Sequence, residues 1–196
     1  MSGTGVGPIE PAGPTLTTER LVLRPWQKDD LEPMAALNGD PATMRYFPAP
    51  LTRGQSDTFV ANMVRAFTRH QMGMWAVEVV GGPSCIGAVG LLPVGFEAHF
   101  TPAVEVGWRL AREHWGRGYA TEAARAALGY GFGDLALDEV VSFTAAVNGL
   151  SRAVMERLGM HRDPAEDFAH PRVKAGRLQP HVLYRLGAAE WAAGSG

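Results

Sequence analysis

Two glycines one residue apart, Gly116 and Gly118, stand in the segment Trp115-Gly116-Arg117-Gly118-Tyr119-Ala120-Thr121-Glu122-Ala123, between the run Val104–Leu110 and an alanine-rich stretch. Glycine lets a backbone turn with its N–H groups pointing inward, and Ala120 keeps the approach open. Free N–H groups at a helix start, with the positive end of the helix dipole behind them, make an anion site. A pyrophosphate is a natural occupant, and Arg117 is placed to add a charge-assisted contact at the rim. The alternative is a tight strand-to-helix turn with no ligand. Two other phosphate motifs fail: no G-K-[ST] follows the second glycine, and Thr121 stands where a dinucleotide fingerprint needs its third glycine. Asp138 and Glu139 stand at the start of the following strand instead of at its end.

The same segment, preceded by Gly107-Trp108-Arg109-Leu110, resembles the GCN5-related N-acetyltransferases, closest to their RimJ/RimL-like branch. Three further blocks agree in the right order. They are Thr18-Glu19-Arg20-Leu21-Val22-Leu23-Arg24; Asn148-Gly149-Leu150-Ser151 with Glu156-Arg157-Leu158-Gly159-Met160; and Asp167 to Val173 with His181 to Leu186. The resemblance covers about residues 15 to 187. It departs from the general family pattern at Trp115, which stands at the first position of Q/R-x-x-G-x-G/A.

The resemblance implies acetyl-CoA as cosubstrate and an amine as acceptor, with no metal. The backbone at Trp108, Arg109 and Leu110 would bond the pantetheine arm. Gly116, Arg117, Gly118, Tyr119, Ala120 and Thr121 would hold the pyrophosphate, and Asn148 would reach the pantetheine. Acyl transfer to an amine needs a group that takes the amine proton, a donor for the oxyanion and a donor for the leaving thiolate. Glu105, just before the cofactor residues, is the candidate base; the alternative is a carboxylate paired with an arginine or solvated at the sheet edge. Ser151 is the candidate leaving-group contact as well as a cofactor residue; the alternative is plain helix N-capping. Relatives that carry a tyrosine acid place it where this chain has Met155, and those with a further glutamate place it where this chain has Phe143. A non-catalytic acyl-CoA sensor and a nucleotide-dependent enzyme are the competing functions. The acceptor, a protein N-terminus or a small amine, is not readable from the cofactor motifs.

These residues need a scaffold. The chain has 196 residues, 46% hydrophobic and 19% charged, enough for one domain with a sizeable core. Residues 1–14 and 191–196 read as flexible tails around a single domain, 15–190. The reading order is β-α-α-β-β-β-α-β-α-β, with strands at Arg20–Trp26, Met74–Val80, Cys85–Leu92, Ala103–Leu110, Glu139–Val147 and Pro180–Leu186. Helices are expected from an Asp29/Glu32 capping box, from a Thr52/Gln55 capping box to about His70, at Arg117–Phe132 and at Gly149–Leu158. Residues Asp163–Gln179 read as a long loop. The strand-helix-strand passage from 103 to 147 is a parallel crossover among antiparallel neighbours. The expected fold is α/β (α+β), a mixed, mostly antiparallel six- to seven-stranded sheet with helices on both faces; the resemblance adds a splayed central parallel pair.

The net charge of -2 offers no bulk attraction to nucleic acid or anionic lipid. No apolar run approaches the length of a membrane span, no secretory signal opens the chain, and Cys85 alone cannot make an internal disulfide. A cytoplasmic protein is expected, with a homodimer left open. The six histidines show no metal-ligand spacing. Arg45, Tyr46 and Phe47 lie where the family's loop between its first two helices lines the acceptor pocket; the alternative is a loop with surface aromatics. His170 and His181 lie in the loop and final strand expected to edge the acceptor site. Phe59 and Trp75 read as core, and Cys85 as a buried, inert thiol.

Overall fold

The computed structural model describes residues 9, 10 and 12–194. The strands are β1 (Leu16–Thr17), β2 (Leu21–Arg24), β3 (Met74–Val79), β4 (Gly87–Pro93), β5 (Val104–Leu110), β6 (Glu139–Ala145), β7 (Phe168–Ala169) and β8 (Pro180–Gly187). The α-helices are α1 (Leu31–Gly39), α2 (Arg53–His70), α3 (Tyr119–Gly133), α4 (Gly149–Arg157) and α5 (Ala188–Gly194). The strands make one sheet in the order β1-β2-β3-β4-β5-β6-β8-β7. Among the described residues only β5 and β6 run parallel; the other neighbours are antiparallel. The mixed, mostly antiparallel sheet is as the sequence implied. It has eight strands because β1 and β7, two residues each, are too short to show a period in the hydrophobic pattern.

Strand alternation sends successive side chains to opposite faces. Val89, Leu91, Val106, Leu110, Val140, Val182, Tyr184 and Leu186 face α3 and α4, packing on Ala123, Ala127, Leu128, Val154 and Met155. Met74, Ala76 and Ala88 face α1 and α2, packing on Met34, Leu37, Val60 and Met63. Register then places the polar residues of β5. Glu105 lies beside Leu92, Gly107 beside Gly90 and Arg109 beside Ala88, so all three share the α1/α2 face. Val141 beside Glu105, and Leu183 beside Phe143, extend that face into a third cluster with Phe100.

The Thr52/Gln55 box opens α2: Gln55 N donates to Thr52 Oγ1 at 3.3 Å, and Thr52 N donates to Gln55 Oε1 at 2.8 Å. The box expected at Asp29/Glu32 forms two residues earlier, at Gln27/Asp30, around a 3₁₀ turn. Arg24 is the cause. Its guanidinium holds buried Asp30 through two bonds of 2.8 Å, and Asp30 in turn accepts from Gln27 N at 2.7 Å. Glu32 is left outside and pairs with Arg53.

Both expected tails are partly structured where described. Trp75 donates Nε1 to the Pro14 carbonyl at 2.7 Å, and Ile9 packs on the α1/α2 cluster; residues 1–8 and 11 lie outside the described residues. At the other end α5 runs to Gly194, and Trp191 stacks on Phe132 with ring centroids 5.6 Å apart; residues 195 and 196 lie outside. The long loop is broken by a 3₁₀ turn at Pro164–Glu166, which Arg185 braces through bonds to Glu166, and by β7, which pairs with β8. Met63 and Phe67 are buried, and Trp75 is fully buried as expected. Phe59 is half-buried: it packs on the edge of the α1/α2 cluster and also borders a cavity. No helix among the described residues is long and apolar enough to cross a membrane.

Candidate active site

The parallel pair is registered at one point, Glu105 beside Val141. One residue further, Ser142 Oγ donates to the Val106 carbonyl at 2.9 Å. Beyond that bond Gly107, Trp108 and Arg109 of β5 and Phe143, Thr144 and Ala145 of β6 border a cavity. The sheet is therefore open through its middle, as the resemblance implied.

Two cavities meet at the opening. The larger, about 880 Å³, lies on the α3/α4 side and is lined by Leu110, Trp115, Gly116, Gly118, Tyr119, Ala120 and Thr121. The smaller, about 430 Å³, lies on the α1/α2 side. Tyr46, Phe47, Trp108, Arg109, Asn148 and Ser151 line both.

The turn into α3 has the form its glycines suggested. Gly116 has φ +74 and Gly118 has φ +82, a left-handed conformation in which a side chain is strained. Nothing stands within 4 Å of where a Cβ on Gly116 would be. The N–H groups of residues 116 to 121 have no protein acceptor among the described residues. Orphan donors at a helix start, beside open space, suit the pyrophosphate of acetyl-CoA. Trp115, the departure from the family pattern, donates Nε1 to the Leu110 carbonyl at 2.7 Å and ties the turn to the end of β5. That carbonyl, expected to serve the pantetheine arm, already carries one bond within the protein.

Arg117 does not line the cleft, although Gly116 and Gly118 on either side of it do. The cation at this turn comes from β2's leading edge. Arg20 lies over the Tyr119 ring at 5.0 Å, and its guanidinium donates to the Arg117 carbonyl at 3.0 Å. The opening block Thr18-Glu19-Arg20 carried that signal, but only folding shows which part of the chain it meets.

Asn148 is the N-cap of α4, its Oδ1 accepting from Ser151 N at 3.3 Å. Its Nδ2 donates to Thr144 Oγ1 at 2.9 Å and to Ser151 Oγ at 3.0 Å. The capping role considered for Ser151 thus falls to Asn148. Ser151 sits in the first turn with Oγ as an acceptor, and its hydroxyl proton has no protein acceptor among the described residues. Met155, where relatives carry tyrosine, is buried beneath.

On the acceptor side Glu105 is half-buried, and among the described residues its carboxylate has no hydrogen-bond or ion-pair partner. The pairing with an arginine considered from sequence is absent. Desolvation pushes the carboxyl up to about 8. Gly107 leaves room beside it, since a Cβ there would stand 3.8 Å from Glu105 Oε1. Arg109 donates to Asn38 Oδ1 at 2.6 Å and lies over Phe47 at 4.3 Å and Phe59 at 5.1 Å; burial draws it down to about 10. Asn38 donates onward to Ser56 at 2.9 Å, so this arginine pins α1 and α2 over the cavity.

The far wall holds Phe143, His170 and His181. Of the residues expected on the acceptor side, His170, His181, Tyr46 and Phe47 line this cavity and Arg45 does not. His181 Nδ1 lies 3.0 Å from the Gln179 carbonyl, which can only accept; Nδ1 therefore carries the proton and Nε2 is bare. His170 has the other tautomer, its Nδ1 accepting from Arg172 N at 3.2 Å. Burial lowers both pKa values, so both rings are neutral at pH 7. Cys85 is buried under β4's start with its thiol pushed up to about 12, the inert state expected. Among the described residues no group of three His, Cys, Asp or Glu stands where it could hold a metal ion.

A sheet open at its parallel pair, with a turn of unpaired N–H groups on one face and an unpaired carboxylate on the other, is suited to an anionic cosubstrate on one side and a second substrate on the other. The sequence model of the Acetyltransferase (GNAT) domain matches residues 20–161. The chain is 31% identical over 147 residues to the uncharacterized protein YkkB of Bacillus subtilis, covering 74% of this chain and 84% of that protein. It is 30% identical over 189 residues to the FsC-acetyl coenzyme A-N(2)-transacetylase of Aspergillus fumigatus, covering 92% and 79%. Its fold is similar to the GNAT-family acetyltransferase of Bacillus anthracis, with TM-score 0.74, 24% identity and coverage of 90% and 100%. It is similar also to the acetyltransferase of Agrobacterium tumefaciens, with TM-score 0.71, 27% identity and coverage of 93% and 99%. The chain belongs to the GNAT acetyltransferase family. It is an acyltransferase, and acetyl-CoA is the cosubstrate of that family.

Proposed function

We propose that this protein, as a RimJ/RimL-like member of the family, transfers an acetyl group to a primary amine, on a protein N-terminus or a small molecule, by direct attack in a ternary complex. The observation that carries this reading is the open parallel pair, with Glu105 on one face of the sheet and the unpaired N–H groups of residues 116–121 on the other. Acetyl-CoA supplies the activated thioester when bound. The turn residues Gly116 to Thr121 hold its pyrophosphate, and the exposed edge of β5 at Trp108 and Arg109 lies along the path of the pantetheine arm.

Glu105 takes the proton that an amine must lose to become a nucleophile. Its apolar setting makes it a stronger base than a solvated glutamate, at the cost of needing a pH near 8 to ionise. Ser151, oriented by Asn148, donates its free hydroxyl proton toward the departing thiolate. Tyr46, Phe47, Phe59 and Phe143 give the amine's carrier an apolar, aromatic enclosure, and neutral His170 and His181 offer one N–H donor and one bare nitrogen to polar groups on it. Names of relatives fit this breadth: one is an N(2)-transacetylase, and a similar fold is described as a ribosomal-protein-S5-alanine acetyltransferase from Vibrio fischeri.

Initial rates with both substrates varied test the reading, with free thiol as the readout over a panel of amino acids, polyamines and N-terminal peptides. Direct attack gives double-reciprocal lines that intersect. Parallel lines would mean an acetyl-enzyme and would overturn direct attack in a ternary complex.

A further inference from the structure

The N-terminal block Thr18-Glu19-Arg20 meets the start of α3, more than ninety residues away, in a closed set of bonds. Thr18 Oγ1 donates to Glu122 Oε1 at 2.7 Å, and the Arg20 backbone N–H donates to the same oxygen at 2.9 Å. Arg20 Nε donates to Glu122 Oε2 at 2.7 Å, and one terminal nitrogen lies 2.5 Å from that oxygen. The other terminal nitrogen donates to the Arg117 carbonyl at 3.0 Å. Partial burial pushes the Glu122 carboxyl upward, but hydrogen bonds from Thr18 and Arg20 hold it below the usual range, so it is ionised at neutral pH.

This geometry poses a charge problem. Glu122 lies in the first turn of α3, where a carboxylate favours the helix dipole but repels a bound phosphate. Arg20 cancels that charge and still has hydrogen-bonding capacity. A guanidinium has five N–H groups; the contacts above engage one on each nitrogen, which leaves one on each terminal nitrogen. The guanidinium also lies where those two donors can be used. Arg20 lines the large cleft, stands over the Tyr119 ring, and has a terminal nitrogen 3.3 Å from where a Cβ on Gly118 would be.

We propose that Arg20 is a cofactor-binding residue, its guanidinium donating to the diphosphate of CoA while the Thr18–Arg20–Glu122 strap holds it against the turn. It fills the place that the sequence suggested for Arg117. Two features follow from its fixed partners. The cation is pre-positioned, so little side-chain freedom is lost on binding. Glu122 also orients it, so removing that carboxylate frees the guanidinium without removing its charge. The proposal rests on the reading of the large cleft as the CoA site, and the test separates the two.

Calorimetry of the wild-type chain, Arg20→Ala, Arg20→Lys and Arg20→Ala/Glu122→Gln uses CoA, 3′-dephospho-CoA and pantetheine as probes. Wild-type protein that binds none of them overturns the reading of the cleft. If it binds CoA, Arg20→Ala is expected to weaken both CoA and 3′-dephospho-CoA about ten- to a hundredfold and to leave pantetheine unchanged. Arg20→Lys, with charge but no fork, falls between. The double variant stays at least about fivefold weaker than wild type, because the lost donors are not replaced. The proposal fails if CoA affinity is unchanged in Arg20→Ala, if pantetheine weakens equally, if only CoA and not its dephospho form is affected, or if the double variant recovers fully. Arg20→Lys, the milder change, decides between these outcomes should Arg20→Ala not fold.

Discussion

Glu105→Gln lowers kcat by about 10² to 10⁴, the usual worth of a positioned base, and leaves KM for acetyl-CoA unchanged. The substitution keeps the side chain's size on the α1/α2 face and touches nothing in the cofactor cleft. In wild type kcat/KM rises with pH and levels above about 8, where the carboxyl is ionised; in Glu105→Gln that limb disappears. Stability changes in the opposite direction. An unfolded glutamate ionises near 4.5, the folded one near 8. The raised value means Glu105 stabilises the folded state fully below the lower pKa, and that contribution is lost as pH rises through the upper one. Glu105→Gln is therefore no more stable than wild type at pH 4 and more stable at pH 9, as urea denaturation at the two pH values would show. Equal kcat in the two proteins, with a retained pH limb, would assign the proton to another group, and His181 with its bare Nε2 is the next candidate.

Gly118→Val has the second large effect, on the other side of the sheet. At φ +82 a β-branched side chain is strained, a cost of about 1–3 kcal/mol that the turn either carries or relieves by moving. Its Cβ would also come within 3.3 Å of the Arg20 guanidinium. KM for acetyl-CoA rises about five- to a hundredfold, kcat changes less, and KM for the amine is unaffected. Thermal melts of the free protein serve as the control. An unchanged KM for acetyl-CoA in a folded variant would show that this turn does not hold the cofactor.

The two halves of the site were unequally legible in the sequence. The turn proposed for the pyrophosphate was written in a contiguous segment, because such a turn is local: Gly116 and Gly118 needed only their neighbours. Glu105 was legible as a residue, but its unpaired state was not, since that depends on what β4, β6 and two helices bring near it. Arg20 and Arg117 show the limit most directly. From sequence the arginine inside the turn was the natural cation. In the fold the Arg117 carbonyl accepts a bond from Arg20, and Arg117 itself does not line the cleft.

Similar reasons explain the misplaced elements. Arg24 captures Asp30, which sets the capping box two residues early, and no local pattern encodes a partner six residues upstream as stronger than a good capping spacing. Trp191 reads as part of a small-residue tail until Phe132 of α3 is beside it. Strands β1 and β7 exist because β2 and β8 offer edges, not because two residues carry a pattern. Long, periodic elements such as α2 and α3 were placed to within two residues, since their amphipathic faces are internal to the segment.

The most direct test of the central claim follows the acetyl group. The protein is incubated with acetyl-CoA labelled in the acetyl carbons and the amine panel, and products are separated by mass spectrometry while free thiol is counted. The predicted result is one labelled N-acetyl amine for each CoA released, abolished by heat and strongly reduced in Glu105→Gln. Tight CoA binding with no labelled amine and no thiol release would contradict it and would make the chain an acyl-CoA sensor built on a transferase fold.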